Sequence, residues 1–302
     1  MRACLLGFAL VALLATSSVC AAESAQPGEE RLRAAYQTNM AGLMNNSFGL
    51  PLVLESFAKD DKVYVDVYGI FTAPFDSVVT ALEVPANWCD IVTLHPNVKA
   101  CTQQELTGTW LLTLYFGRKF YQPADDARQV AYRYRNLAQQ QGYLDILLSA
   151  DSGPFGTRDH KLSFAALPVD GDRTFVHVSY AYHDTFALRL AAISYFATLG
   201  RGKVGFTVTA TDRNNQPVYI DGARGAIERN AVRYYLAIQA FMSTRHFPAG
   251  ERFSKSINAW YDLTLPYHPQ LFDLDRQDYL TFKAAEHNNR LVLQHTLETS
   301  LP

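Results

Sequence analysis

The fold depends on residues 223–242, which read ARGAIERNAVRYYLAIQAFM. Apolar side chains recur there at steps of three and four, the spacing that places them on one face of a helix; they are Ile227, Ala231, Tyr234, Ile238 and Met242. Arg224 and Glu228 stand four residues apart, where opposite charges attract. The pattern predicts a long amphipathic helix whose apolar stripe covers another layer of the protein.

Several predicted strands precede this helix. Apolar or aromatic residues alternate in them with polar ones, which is typical of antiparallel strands with one buried and one solvent-facing side. The predicted buried side includes Trp110, Leu112, Leu114, Phe116, Tyr132, Tyr134, Leu144, Ile146, Leu148, Leu162, Phe164, Val176, Val178, Tyr180 and Tyr182. The connections at 139–142 and 170–172 are short and turn-like, which favours a meander.

A hairpin and two short helices are predicted before the meander. Residues 52–54 and 63–71 flank the turn sequence at 59–61, so we expect two paired strands. Pro74 stands in the first turn of a helical pattern, and a second short helix or loop is expected over 85–95.

The first 22 residues are predicted to be a secretory signal peptide. Arg2 supplies the positive charge, an apolar run extends from Leu5 to Ala15, and small residues allow cleavage after Ala22. The alternative is an uncleaved anchor, but the run is shorter than the roughly 20 residues of a spanning helix. We therefore expect an exported protein, periplasmic in a bacterium or otherwise secreted.

Export would leave Cys89 and Cys101 as the mature cysteines, because Cys4 and Cys20 belong to the signal peptide. Two cysteines close in sequence usually pair in an oxidising compartment. We predict a Cys89–Cys101 disulfide, with two separate buried thiols as the alternative. Closing so short a loop would stabilise the fold by roughly 3 kcal/mol in the chain-entropy model.

The domain organisation follows from these patterns. We divide the chain into a signal peptide (1–22), an N-terminal linker or short helix (23–49), a main domain (50–243) and a helical C-terminal extension (244–302). Residues 23–35 are polar and are interpreted as a linker or frayed terminus. The extension contains two weaker helical patterns, around 252–261 and 276–293.

A further helix is predicted from Phe186 to Leu199, where apolar residues occupy nearly every side of the helix. We interpret it either as a fully buried helix or as a lid or transient membrane contact. In the second case Arg201 and Lys203 would meet lipid head groups. Residues 203–209 then return to strand character.

The order of a strand, two short helices, a meander and a long helix resembles the helix-grip fold of the START/polyketide-cyclase-like (SRPBCC) superfamily. Residues 73–78, APFDSV, look like the family's opening helix, and Trp88 followed by HPNV at 95–98 is similar to its tryptophan-then-HP.V stretch. The resemblance covers residues 60–243. The apolar helix, the extension and the two cysteines depart from the family.

The resemblance implies an α+β fold in which an antiparallel sheet wraps around the long helix, with a hydrophobic ligand in a cavity between them. We predict that the inner sheet face and the helix supply the ligand contacts: Trp110, Leu112, Leu114, Phe116, Tyr132, Tyr134, Ile146, Phe164, Val178, Tyr180, Tyr182, Tyr234 and Ile238. Tyrosine hydroxyls there would orient the polar end of a ligand. The alternative is a solid core, since protein interiors are normally filled.

Charged and catalytic candidates are few. Arg133 and Arg135 fall on the outer face, unless a one-residue register slip turns them inward. His183 and Asp184 are interpreted as a surface turn, because adjacent strand residues point to opposite faces, and His95 as structural. No metal-binding or common catalytic motif is present. We therefore predict no catalytic residue, no metal and no cofactor.

Three hypotheses for function stay open. The main one is an exported binding or carrier protein for a lipid-like ligand. The second is a cyclase- or dehydratase-type enzyme that uses tyrosines and His183 for proton transfer. The third is a non-catalytic partner of an envelope complex that docks through its extension. A net charge of −2 over 302 residues argues against nucleic-acid binding.

Overall fold

The computed structural model describes residues 27–59, 61–153, 156–183 and 202–300. The predicted signal peptide and the predicted apolar helix from Phe186 to Leu199 lie outside the described residues. Within those ranges, none of the helices combines the length and the hydropathy that a membrane span requires.

The predicted hairpin, short helices, meander strands and long helix appear in the predicted order, whereas the strand Val98–Leu106 was not predicted. The N-terminal elements are α1 (Pro27–Met44), β1 (Leu52–Lys59), β2 (Lys62–Phe71), α2 (Phe75–Leu82) and α3 (Pro85–Val92). The meander consists of β3 (Val98–Leu106), β4 (Thr109–Phe116), β5 (Arg128–Gln140), β6 (Tyr143–Ser152), β7 (Arg158–Pro168) and β8 (Thr174–His183). The C-terminal elements are β9 (Val208–Thr211), β10 (Pro217–Tyr219), α4 (Gly222–Ser243), α5 (Ala249–Thr264), α6 (His268–Leu271) and α7 (Arg276–Thr299).

Strands β1–β8 form one antiparallel sheet in the order β1-β2-β8-β7-β6-β5-β4-β3. The strands from β3 to β8 pair with their neighbours in sequence, which confirms the meander predicted for β4 to β8 and adds β3 to it. Strand β2 pairs with β8 and adds the N-terminal hairpin. Leu112 lies opposite Tyr132, and Ile146 lies opposite Phe164. The inward residues therefore form rows across the sheet, where cross-strand neighbours contact each other.

Helix α4 packs across the inner face of this sheet, in contact with β2 and β8. Its predicted apolar stripe is buried, from Ile227 through Tyr234 to Ile238. The opposite side of α4 is covered by α5, so Arg233 is buried as well. The sheet and α4 make the predicted α+β helix-grip fold.

The C-terminal extension packs against the main domain. Helix α5 lies on α4, and α7 lies along β3 at the edge of the sheet. Gln294 of α7 continues the backbone pairing there: its Oε1 accepts the Gln103 N–H at 2.9 Å and its Nε2 donates to the Gln103 carbonyl at 3.0 Å. An edge strand exposes unpaired backbone groups, and α7 covers this one.

The linker interpretation of residues 27–35 is wrong, because these residues are the first half of α1. Pro27 is tolerated in a first helical turn, and Glu29 and Glu30 lie near the positive end of the helix dipole. Leu32 and Leu43 are buried in an apolar cluster on the outer face of the sheet. So narrow an apolar stripe leaves the helix polar on average, which is why its sequence resembles a linker.

The strand expected over 203–209 is shorter and belongs elsewhere. Only Val208–Thr211 is a strand, and it pairs with β10 in a separate hairpin. The reason lies in α4: the buried Glu228 carboxylate accepts the N–H groups of Phe206 and Thr207 at 2.6 and 3.0 Å. These donors are therefore not available to a strand ladder.

The predicted Cys89–Cys101 disulfide is present, with 5.1 Å between the Cα atoms. It joins α3 to β3, and both cysteines are completely buried. Trp88 is buried beside them, and its Nε1 donates to the Leu82 carbonyl at 2.8 Å. The short helices are thus fixed to the sheet covalently and by packing.

Candidate functional site

The predicted ligand-contact residues all belong to one apolar layer between the sheet and α4. Most of them are fully buried: Leu112, Leu114, Tyr132, Tyr134, Ile146, Phe164, Val178, Tyr234 and Ile238. The others are partly buried and pack against the same layer: Trp110, Phe116, Tyr180 and Tyr182.

This layer is closely packed. A cavity in it has a volume of about 10 Å³ and is lined by Val92, Leu114, Tyr132, Leu148, Leu162, Tyr180 and Tyr234. One water molecule needs about 10–15 Å³ of such space. The described residues therefore leave room for a single water between these side chains, where the sequence led us to expect a ligand-sized cavity.

One polar side chain enters the apolar layer, and sequence reasoning missed it. His160 of β7 is buried, with Nδ1 at 3.3 Å from the Tyr132 hydroxyl and 3.1 Å from the Tyr180 hydroxyl. Its Nε2 lies 2.6 Å from Thr157 Oγ1. The ring stacks on Tyr182, with 5.3 Å between the centroids. We call Tyr132, Tyr180 and His160 the Tyr–His cluster.

A glycine makes room for the imidazole. A Cβ atom at Gly153 would lie 2.0 Å from His160 Nε2, which no side chain tolerates without movement. The Gly153 N–H donates to the Thr157 carbonyl at 2.8 Å, which holds Gly153 next to the residue whose hydroxyl contacts the ring. His160 alternates with Leu162 and Phe164 on the inward side of β7. This alternation is the sequence signal that could have identified it.

Burial sets the protonation of the Tyr–His cluster. Desolvation lowers the pKa of His160 to about 4, so the imidazole is neutral at pH 7. Desolvation also raises the pKa of Tyr132 and of Tyr180 far above the ordinary value for tyrosine. Both phenols therefore keep their hydrogens, and the neutral imidazole has one donor and one acceptor nitrogen.

His95 is a second buried histidine and lies behind Tyr234, one of the residues that line the cavity. Its ring stacks on Tyr234 with 5.1 Å between the centroids, and its Nδ1 accepts the Asn97 N–H at 3.1 Å. Burial, followed by the nearby positive charge of Arg233, lowers the pKa of His95 well below its usual value. These contacts agree with the structural role expected from the sequence.

No family model and no curated protein matches this chain. Solved structures do match it. The Zhui aromatase/cyclase from a Streptomyces species is 12% identical, with 63% of this chain and 98% of that one covered and a TM-score of 0.35. Norcoclaurine synthase from Thalictrum flavum is 12% identical, with 49% and 82% covered and a TM-score of 0.33. A STAR-related lipid transfer protein from Xanthomonas axonopodis is 18% identical, with 44% and 81% covered and a TM-score of 0.29.

The strand order, the α2–α3 pair after β2 and the long helix across the inner face agree with the resemblance seen in the sequence. The antiparallel sheet with a long helix across its inner face is a helix-grip arrangement. At these identities and TM-scores, the likeness to solved structures says nothing about family or ligand.

The other candidates from the sequence lie outside the layer that the helix-grip fold encloses. Arg133 and Arg135 are exposed, as the register predicted, and Arg133 pairs with Asp151 at the surface. His183 lies 2.8 Å from Asp159, and its neighbour Asp184 is outside the described residues. In the described part of the chain, no group of histidine, cysteine and carboxylate side chains is arranged to hold a metal ion.

A buried ionic cluster fixes the C-terminal extension to the helix-grip domain. Lys99 of β3 and Lys283 of α7 each lie 2.8 Å from a different oxygen of Glu286. Lys283 also donates to the carbonyls of His95 and Val98 at 2.9 and 2.8 Å. Because two positive charges share one carboxylate, the cluster carries one excess positive charge when both lysines are protonated.

Proposed function

We propose that this protein is an exported carrier that binds a lipid-like hydrophobic molecule between its sheet and α4. The observation that carries the proposal is the Tyr–His cluster, an uncharged polar group set in an otherwise apolar layer and bordering a cavity. Sites for hydrophobic ligands are mostly apolar, with a few polar groups that fix the orientation of the ligand.

Binding requires the layer to open, because the cavity holds no more than one water molecule. The inner face is incompletely closed at the end of β8. Tyr180 and Tyr182 point inward there but are only partly buried, whereas Val176 and Val178 earlier in the strand are completely buried. We place the entrance at this end of β8. Because only the open molecules can bind, the apparent affinity is the intrinsic affinity multiplied by the open fraction.

The disulfide supports export, because such bonds persist mainly in oxidising compartments.

Transient membrane contact from Phe186 to Leu199 stays a prediction. Co-sedimentation with liposomes tests it: Leu190→Asp should reduce membrane binding, and equal binding by a folded variant would exclude the contact.

One observation favours the enzyme as a second candidate. A histidine within hydrogen-bonding distance of two phenols has the geometry for proton transfer, and His160 has this position rather than His183. A pKa of about 4, however, makes His160 a weak base at neutral pH. We therefore propose binding without chemistry.

Native mass spectrometry of the gently purified chain tests the carrier proposal, and we expect a co-purified lipid. Titration with the uncharged probe N-phenyl-1-naphthylamine provides a second test. Leu114→Phe narrows the cavity and Leu114→Arg places a charge in the apolar layer, so both should weaken probe binding. Val292→Phe, at a position 68% exposed on α7, is the matched control. Equal affinity in all folded variants would refute binding in this layer.

A further inference from the structure

We infer that the Tyr–His cluster recognises a hydrogen-bond acceptor, so that the preferred ligand is a mainly apolar molecule carrying a ketone or ester carbonyl. This inference rests on the proposed function and specifies the class of ligand. It follows from a count of hydrogens and lone pairs in the cluster.

The imidazole cannot satisfy both phenols. If the hydrogen of His160 is on Nε2, the single lone pair of Nδ1 accepts a hydrogen from either Tyr132 or Tyr180. If the hydrogen is on Nδ1, it is donated to one phenol oxygen, and neither phenol hydrogen is used by the ring. In both tautomers at least one phenol hydrogen has no acceptor on His160. Among the described residues, His160 is the one hydrogen-bond partner of either hydroxyl.

The cavity lies beside this spare donor, which a ligand meets once the layer opens. The rings of Tyr132 and Tyr180 both line it, and its other walls are aliphatic except for Tyr234. Tyr234 is itself a phenol, so it brings a further hydrogen along with its oxygen. A buried donor without an acceptor is unfavourable. A ligand oxygen that accepts this hydrogen therefore adds more binding free energy than a ligand oxygen that replaces an existing hydrogen bond.

The surroundings select a neutral acceptor. The imidazole is uncharged at pH 7 because burial lowers its pKa to about 4. The nearest cation along α4, Arg233, is already paired with Asp273 at 2.7 Å. A carboxylate or an ammonium group would thus bring an unpaired charge into an apolar layer, which is strongly unfavourable. A carbonyl oxygen offers lone pairs without a charge.

A matched pair of probes tests this inference. 2-Acetylnaphthalene carries a ketone, and 2-isopropylnaphthalene has nearly the same shape without an acceptor. We expect the full chain to bind the ketone about tenfold more tightly, the effect of one good hydrogen bond. The double variant Tyr132→Phe/Tyr180→Phe should bind both compounds within about twofold of each other, since neither phenol hydrogen of the Tyr–His cluster remains to make that bond.

Tyr143→Phe is the control, because this buried tyrosine lies on the outer face of the sheet and its hydroxyl donates to the Asp145 carboxylate at 3.1 Å. It should keep the preference for the ketone. Infrared spectra of the bound ketone give an independent readout: its carbonyl stretch should move to lower frequency in the wild type and not in the double variant. Equal affinities of the wild type for the two probes would overturn acceptor recognition. If neither probe bound, the proposed function itself would fail.

Discussion

Lys283 belongs to a buried cluster whose charges do not balance, and this imbalance predicts an unusual pH dependence of stability. Lys99, Lys283 and Glu286 have side chains that are at most 3% exposed. Burial, with a further contribution from the charge of Lys99, lowers the pKa of Lys283 from 10.5 to about 8. Loss of one proton makes the cluster neutral, so the folded protein releases this proton earlier than an exposed lysine would.

The sign of the effect follows from the proton count. Between pH 8 and 10.5 the unfolded chain keeps the proton on Lys283, whereas the folded chain has released it. The free energy of unfolding rises with pH wherever the unfolded state binds more protons. The limiting slope is about 1.4 kcal/mol per pH unit, so the gain from pH 8 to 9.5 is about 1.5 kcal/mol. Well below pH 8 this lysine contributes no slope.

Urea unfolding at pH 8, 8.75 and 9.5 measures this gain, with Lys283→Met as the reference. Methionine keeps an apolar chain but has no titrating group, so the difference between the two proteins isolates the cluster. Exposed tyrosines begin to ionise only near pH 10. If the wild type did not gain stability relative to Lys283→Met across this window, the unbalanced cluster would not be present in the folded protein.

Three further predictions concern the proposed site, the glycine beside it and the disulfide. Gly153→Ala places a Cβ atom 2.0 Å from His160 Nε2, so it should lower stability by about 1–3 kcal/mol and reduce the ketone preference in probe titrations. The double variant Cys89→Ser/Cys101→Ser should lose about 2–4 kcal/mol in urea unfolding, and reduction of the wild type should cause a similar loss. Tyr234→Ala should cost about 3–5 kcal/mol but enlarge the cavity and bind N-phenyl-1-naphthylamine more tightly; unchanged probe affinity would contradict the placement of the site.

The sequence predicts the inner face well because strand side chains alternate with a period of two. The period alone puts Leu112, Leu114 and Tyr132 on one side of the sheet, and the helical period puts Tyr234 against them. His160 was missed because a lone polar residue at the start of a strand resembles a surface position. How completely the layer is filled cannot be predicted from any period, because it depends on how side chains of different elements fit together.

The same limit explains the error at α1. Its buried side contains few apolar residues, and its helical pattern becomes meaningful only once its partner surface is known. That surface is the outer face of the sheet, where Phe175 and Ile70 contribute to the apolar cluster that includes Leu32 and Leu43. An alternating strand pattern assigns one face of the sheet to solvent, so it gives no reason to expect a helix packed against that face.

The close packing of the layer and the phenol hydrogen that His160 leaves unused together determine which ligands are preferred. A ligand that enters near the end of β8 has to displace Tyr180 or Tyr182, and moving Tyr180 breaks its contact with His160. A pure hydrocarbon offers nothing in return for that hydrogen bond. A ligand with a carbonyl oxygen does, because it accepts a phenol hydrogen that the imidazole leaves unused. Close packing should therefore increase the preference for acceptor-bearing ligands, because opening the layer is unfavourable for every ligand and only these ligands recover part of that free energy.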